Sequence, residues 1–425
     1  MTRIFQCGII LSILLSLFLS PLIARAEYRT EITPRISLNQ EFDDNIYLDN
    51  VDETSDYLIT ASPGLNLKIS SLNTSIILDY SPTWVWYNEY DENNTVRHAG
   101  FLAFSQDITQ YFQLRLSDTY IRSEDPLETT EDVEEVRRTR NTYRRNIGSA
   151  TLDYRFGSKN TLSLGYTHSL LENQDKSIDD GEIQNPSVGM SYWFNVKNSI
   201  ELRYNFIDAA FSRDDNSLPG DDYSGNSAGI TYTYFFRPHK WGSMSYTFTN
   251  RTFDGLTEDY AVHEGTLGFG YYITKDMSLI VGGGIFDQVN EESDDELGYN
   301  YNVSFMNTFK RGSFRISGRG GWDESYLDAE QRGFIRFWSA DTGIDYLLMK
   351  DLRFYVNASF RQNKDTDDRR WHTVRGSCGL NLAFLRWFSL SLDYKYAQRD
   401  DDVDLDDFTD NRVMLFLTAK KLYRW

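Results

Sequence analysis

The sequence predicts an all-β chain: a transmembrane, antiparallel, up-and-down β-barrel of about twenty strands, with eighteen as the next choice. Three observations carry this. From Tyr57 to Trp425 the chain repeats one unit: an alternating apolar/polar strand, a tiny turn, a second such strand and a long acidic loop. The connections sort by length and charge together. Aromatics make up 15% of the residues, led by 28 Tyr and 27 Phe, against only 8 Pro.

The chain opens with Arg3, an apolar run from Ile9 to Leu19, and Ala24-Arg25-Ala26 before Glu27. A positive start, a short apolar core and a small-residue site predict a cleaved signal peptide over 1–26, and so export. Cys7 lies outside any lipobox-like context. Cleavage would remove it and leave Cys378 as the single thiol, so no intramolecular disulfide is expected. The phase of its strand sets Cys378 beside Val374, Leu380 and Leu382 on the apolar face, which is a structural setting. Residues 27–56 are expected as a first strand or a plug, and 57–425 as the barrel.

In order, strands are expected at about 28–39, 57–69, 74–87, 97–105, 111–121, 144–156, 161–170, 184–194, 199–208, 225–236, 241–251, 261–273, 277–286, 298–309, 313–322, 333–346, 351–361, 371–384, 387–398 and 411–424. The segment 387–398 shows the pattern plainly. Phe388, Leu390, Leu392, Tyr394 and Tyr396 share one face, while Ser389, Ser391, Asp393 and Lys395 share the other. Elsewhere Ile200, Leu202, Tyr204 and Phe206 oppose Glu201, Arg203 and Asn205. A soluble sandwich would fill its apolar face with Val, Ile and Leu. A Tyr-rich face instead suits a membrane interface, and a Ser/Gly face suits a watery lumen. Pro34 and Pro82 interrupt two of the expected strands.

An even strand number leaves both termini on one side. The short connections (Gly157–Asn160, Val196–Asn198, Arg237–Lys240, Lys310–Gly312, Leu385–Arg386) are neutral or basic and are assigned to the periplasm. The long ones carry the acid: Glu41–Asp56, Ser123–Glu135, Asp175–Glu182, Asp214–Asp222, Asp287–Glu296, Asp323–Glu330 and Asp400–Asp410. These are assigned to the outside, where solvation alone accounts for their charge. The mean hydropathy of −0.51 does not oppose a membrane location, because barrels cross with half-polar strands.

Catalytic chemistry is not expected. The five His (His98, His168, His239, His263, His372) lack metal spacing, and the acidic run Asp400–Asp407 lacks the order of a calcium loop. No phosphate-binding loop occurs. No cofactor, metal or nucleic acid partner is expected. By phase, Arg315, Arg319, Arg353, Arg361, Arg375 and Lys395 point inward from five consecutive strands and predict a basic stripe on one lumen wall. The stripe has two readings: ion pairs with Asp345 and Asp393 that brace the wall, or a path that guides anions. The final strand ends in Tyr423 and Trp425, the position at which bacterial barrels present a terminal aromatic to the assembly machinery. Here Trp stands in place of the usual Phe, and Lys421 occupies an outward slot from which it can snorkel.

Near the start, Glu41-Phe42-Asp43-Asp44-Asn45-Ile46-Tyr47-Leu48, then Ser55-Asp56-Tyr57-Leu58-Ile59-Thr60, then Ser62-Pro63-Gly64-Leu65 resemble the beta-barrel porin 2 type of outer-membrane proteins. Over the rest of the chain the likeness is one of style. The resemblance implies a non-enzymatic barrel taking part in export of extracellular polysaccharide, in contact with periplasmic polysaccharide-export proteins. A general diffusion porin and a structural or adhesive barrel are the alternatives. Outer-membrane lipid and lipopolysaccharide, the latter bridged loosely by divalent cations to the acidic loops, complete the expected surroundings.

Overall fold

A computed structural model describes residues 28–425 except 128–139, 176–178, 213–221, 256, 292, 326–332, 367 and 404–405. The expected signal peptide and parts of several acidic loops lie outside the described residues. Twenty long strands form one sheet: β1 (Arg29–Asp43), β2 (Asp56–Ser70), β3 (Thr74–Tyr87), β4 (Thr95–Asp107), β5 (Phe112–Ser123), β6 (Tyr143–Phe156), β7 (Asn160–Asn173), β8 (Asp180–Asn195), β9 (Asn198–Ser212) and β10 (Tyr223–Arg237), followed by β11 (Lys240–Phe253), β12 (Tyr260–Thr274), β13 (Met277–Asn290), β14 (Glu296–Phe309), β15 (Gly312–Ser325), β16 (Gly333–Met349), β17 (Leu352–Lys364), β18 (Arg370–Leu385), β19 (Phe388–Asp401) and β20 (Phe408–Lys420). Each pairs antiparallel with its neighbours in sequence. β1 also pairs with β20, from Arg35↔Lys420 to Asp43↔Arg412, so the sheet closes on itself and leaves no edge.

Of residues 27–56, 29–43 are a full strand of the wall. The last strand differs from the expected continuous 411–424. β20 stops at Lys420 and resumes as β21 (Tyr423–Arg424), paired with Ile32 and Glu31. Pro34 sits opposite the break. It has no N–H to give the ladder, and its carbonyl accepts from Lys421 instead.

The short connections, two to four residues each, share one end of the barrel with Arg29 and Trp425, and the long ones share the other. Around the outer surface, aromatic side chains at the margin toward the long loops donate to a polar group on the next strand. Tyr166 bonds Gln184, Tyr204 bonds Asn226, Trp338 bonds Gln362 and Tyr394 bonds Asn411, at 2.6–3.3 Å. A phenol with its ring in hydrocarbon and its hydroxyl satisfied fits the boundary between lipid and headgroup. Below this girdle lie exposed apolar side chains such as Leu164, Leu267 and Leu392.

Three elements lean into the lumen at the long-loop end. Residues 44–55 turn inward and bury Ile46 against Leu58, Val85 and Tyr87. The start of the β5–β6 connection brings Leu127 against Leu48, Ala397 and Phe408. The third is the β15–β16 hairpin. β14 pairs with β15 only between Phe309↔Gly312 and Tyr301↔Gly320. Beyond that point Gly321 takes φ 158°, a value L side chains rarely adopt, and the strand leaves its neighbour. Trp322 and Glu324 then reach the inner faces of β11 and β12. Glu324 accepts from Arg251 at 2.7 Å and from Tyr260 at 2.7 Å, and Trp322 donates to Glu264 at 3.0 Å. Phe334 packs with Tyr260 and Phe286 in the aromatic cluster beneath.

Candidate functional site: a charged lumen

Alternation along β15–β20 sends every second side chain into the lumen, and the sheet register lines these up in rows. Ser317, Asp341, Ser359, Arg375 and Ala397 form one row. Arg319, Ser339, Arg361, Thr373 and Arg399 form the next, nearer the long loops. The six cations read from the sequence therefore come from four strands, β15, β17, β18 and β19. β16 supplies Asp341 and Asp345 between them, so the five-strand count is corrected.

A cavity of about 930 Å³ lies against this wall and against β1–β3. Arg315, Arg319, Arg375 and Lys395 line it, faced by Glu41, Thr60, Ser62 and Asp410. Arg361 lines a recess beside it, of about 40 Å³. Arg353 is set apart, toward the short-turn end, 3.6 Å from Asp345 with both side chains well exposed. The other expected bracing acid, Asp393, accepts from the Tyr355 hydroxyl at 2.8 Å. Bracing by Asp345 is thus local to Arg353.

Across the cavity stands a knot of charge that the sequence reading missed. Arg412 on β20 contacts Asp410 at 2.8 Å, Asp125 at 3.0 Å and Asp43 at 3.3 Å. Arg140 reaches Asp43 at 3.1 Å and donates to Tyr87 and to the Ile46 carbonyl. Arg97 binds Glu124 at 2.6 Å. These groups tie the wall to both inward segments. Burial alone would push the Asp125 carboxyl up, but Arg412, Arg97 and Arg140 outweigh it and hold the group well below the ordinary carboxylate range. Asp410 and Arg412 follow the inward phase opposite Val413 and Leu415, so the signal for them was present. Asp125 and Arg140 sit in a loop, where no period marks them.

Asp43, Asp44 and Asp410 bring carboxylate oxygens within 4.8 Å of one another. Arg412 and Arg140 already donate to this group, and Asn411 donates to both oxygens of Asp44, so a cation would face two guanidiniums. The donor set suits an ion-pair network better than a metal. Four of the His residues lie on the outer surface, bonded or adjacent to Tyr80, Glu182, Tyr246 and Asp400 and away from the cavity. The terminal aromatics Tyr423 and Trp425 stack at 6.2 Å, Lys421 lies over the Tyr423 ring, and the Trp425 backbone exchanges two hydrogen bonds with Thr30.

A closed twenty-stranded antiparallel barrel with a polar, partly occluded lumen and an aromatic girdle defines the class: an outer-membrane-type β-barrel. Solved structures share that fold at low sequence identity. A mutant ferric enterobactin receptor from Pseudomonas aeruginosa (PfeA), in complex with enterobactin, matches over 92% of this chain and 81% of its own, with TM-score 0.56 and 9% identity. The FrpB iron transporter from Neisseria meningitidis matches over 92% and 82%, with TM-score 0.54 and 9% identity. The siderophore receptor PirA from Pseudomonas aeruginosa matches over 93% and 80%, with TM-score 0.52 and 10% identity. No protein-family model matches the chain, and no curated protein matches it by sequence.

Proposed function

We propose that the protein is a non-enzymatic outer-membrane channel that admits small polar solutes and favours anions. The observation that carries the reading is the 930 Å³ lumen cavity with Arg315, Arg319, Arg375 and Lys395 on one wall. Charges lining a narrow, water-filled passage set its ion preference. The long acidic loops then face outward, and the short turns face the periplasm, the arrangement of outer-membrane barrels. The transport proteins that share the fold are compatible with this reading. The purified barrel in planar bilayers tests it. Reversal potentials in a salt gradient should show anion preference, and Arg315→Ala with Lys395→Ala should shift it toward cations. A preference untouched by these changes would sink the role of the wall.

Polysaccharide export is the second reading, and one observation favours it. The run that resembles the beta-barrel porin 2 type builds β1, the start of β2 and the inward segment between them, which border the lumen. Asn45 in that run donates to the Asp49 and Thr409 carbonyls and accepts from the Asp49 N–H, which pins the turn in which Leu48 takes φ 58°. Lipopolysaccharide at the outer loops and export proteins at the periplasmic end are the partners this reading needs. Deletion of the gene should abolish surface polysaccharide while small-solute uptake stays normal. The reverse outcome favours the channel.

A further inference from the structure

We infer that the recess beside the cavity is a carboxylate-binding subsite, so that the preferred solute carries one carboxylate head on a polar, uncharged body. The inference rests on the channel reading and names its substrate class.

Arg319, Arg361 and Arg375 come together in the recess from three different strands. In the row that holds Arg361, the sheet places Ser339 on one side of it and Thr373 on the other. Both residues are nine-tenths or more buried, at 5% and 4% exposure, and both hydroxyls lack a hydrogen-bond partner. A buried hydroxyl without a partner costs free energy, so two of them flanking a guanidinium point to an acceptor that comes from outside. Guanidinium forks match the two oxygens of a carboxylate, and each hydroxyl can donate one further bond. Asp341 also lines the recess and disfavours ligands of higher charge. The volume of about 40 Å³ is room for about three water-sized groups, the size of a carboxylate and too small for a sugar ring. The larger cavity shares Arg319, Asp341, Ser359 and Arg375 with the recess, so the body of the solute has a place to lie while its head is held.

Titration calorimetry on the full barrel in detergent tests this without needing conductance. Sodium glucuronate is the probe, with glucose and inorganic phosphate as comparisons. Glucuronate should bind and glucose should not, and phosphate should bind at least about tenfold more weakly. Ser339→Ala with Thr373→Val should weaken glucuronate about tenfold, one to two lost charge-assisted bonds. Thr373→Ser, which keeps a hydroxyl, should retain binding. Arg375→Gln should weaken it at least as much, whereas Arg353→Gln, outside the recess, should not. Heat-modifiable gel mobility confirms that each variant is folded. A glucuronate oligosaccharide is titrated alongside; whichever form binds names the source of the carboxylate. Neither binding, or equal binding by wild type and the double variant, overturns the subsite. A barrel that conducts but does not bind loses the subsite and keeps the channel; one that binds but does not conduct does the opposite.

Discussion

Arg412 is the residue on which the inward segments converge. It is 5% exposed and faces Asp43, Asp125 and Asp410, each on a different stretch of chain. Such a buried pair adds little to stability relative to an apolar replacement of all partners, but removing one partner strands the others. Arg412→Met should therefore cost about 3–5 kcal/mol against urea and raise conductance by releasing the segment at Asp125. A loss below about 1 kcal/mol would mean the carboxylates find other cations. Acid should act through the same contact. Asp125 titrates below its unfolded value of about 3.9, so its contribution is complete above that value and is lost as pH falls from there through its lower folded range. Channel noise should stay flat from about pH 7 down to about 4 and rise only below the ordinary carboxylate range. An onset at pH 6 would point to a different group.

At the scale of the element, the β15–β16 hairpin matters most. The sequence ends this strand near 322 and reads Asp323–Glu330 as a solvated acidic loop, so nothing local shows the hairpin leaning inward. The departure is made by Gly321 and by distant partners, Arg251 and Glu264, that no local pattern announces. The break in β20 is similar. Pro34 is visible in the sequence, but its effect on residues 420–423, near the other end of the chain, needs the β1–β20 register. The wall itself was readable, because each strand has one lipid face and the period of two fixes which residues share it. Trp322→Ala removes a stacked ring and the bond to Glu264. It should cost about 3–5 kcal/mol of local packing and widen the passage, seen as a larger single-channel conductance. Unchanged conductance would mean that the hairpin packs inside without narrowing the route.

For the whole molecule, closure depends on the meeting of the first and last strands, and here the terminal aromatics can be separated into two roles. The Trp425 backbone pairs with Thr30, and Tyr423 pairs with Ile32, so the end of the chain is part of the seam. Those bonds come from the main chain and survive a change of side chain. The Tyr423 and Trp425 side chains are exposed, at 40% and 68%, and bury little apolar area in the finished barrel. Tyr423→Ala with Trp425→Ala should therefore leave urea stability within about 1 kcal/mol once the barrel is folded into lipid vesicles. If these rings are what the assembly machinery reads, the same variant should reach the outer membrane at a small fraction of the wild-type amount, while Arg424→Ala reaches it normally. Equal losses in vesicles and in cells would instead make the rings part of the seam's own stability. Normal amounts in cells would remove the assembly role altogether, because nothing in the packing of this end then calls for two aromatic residues.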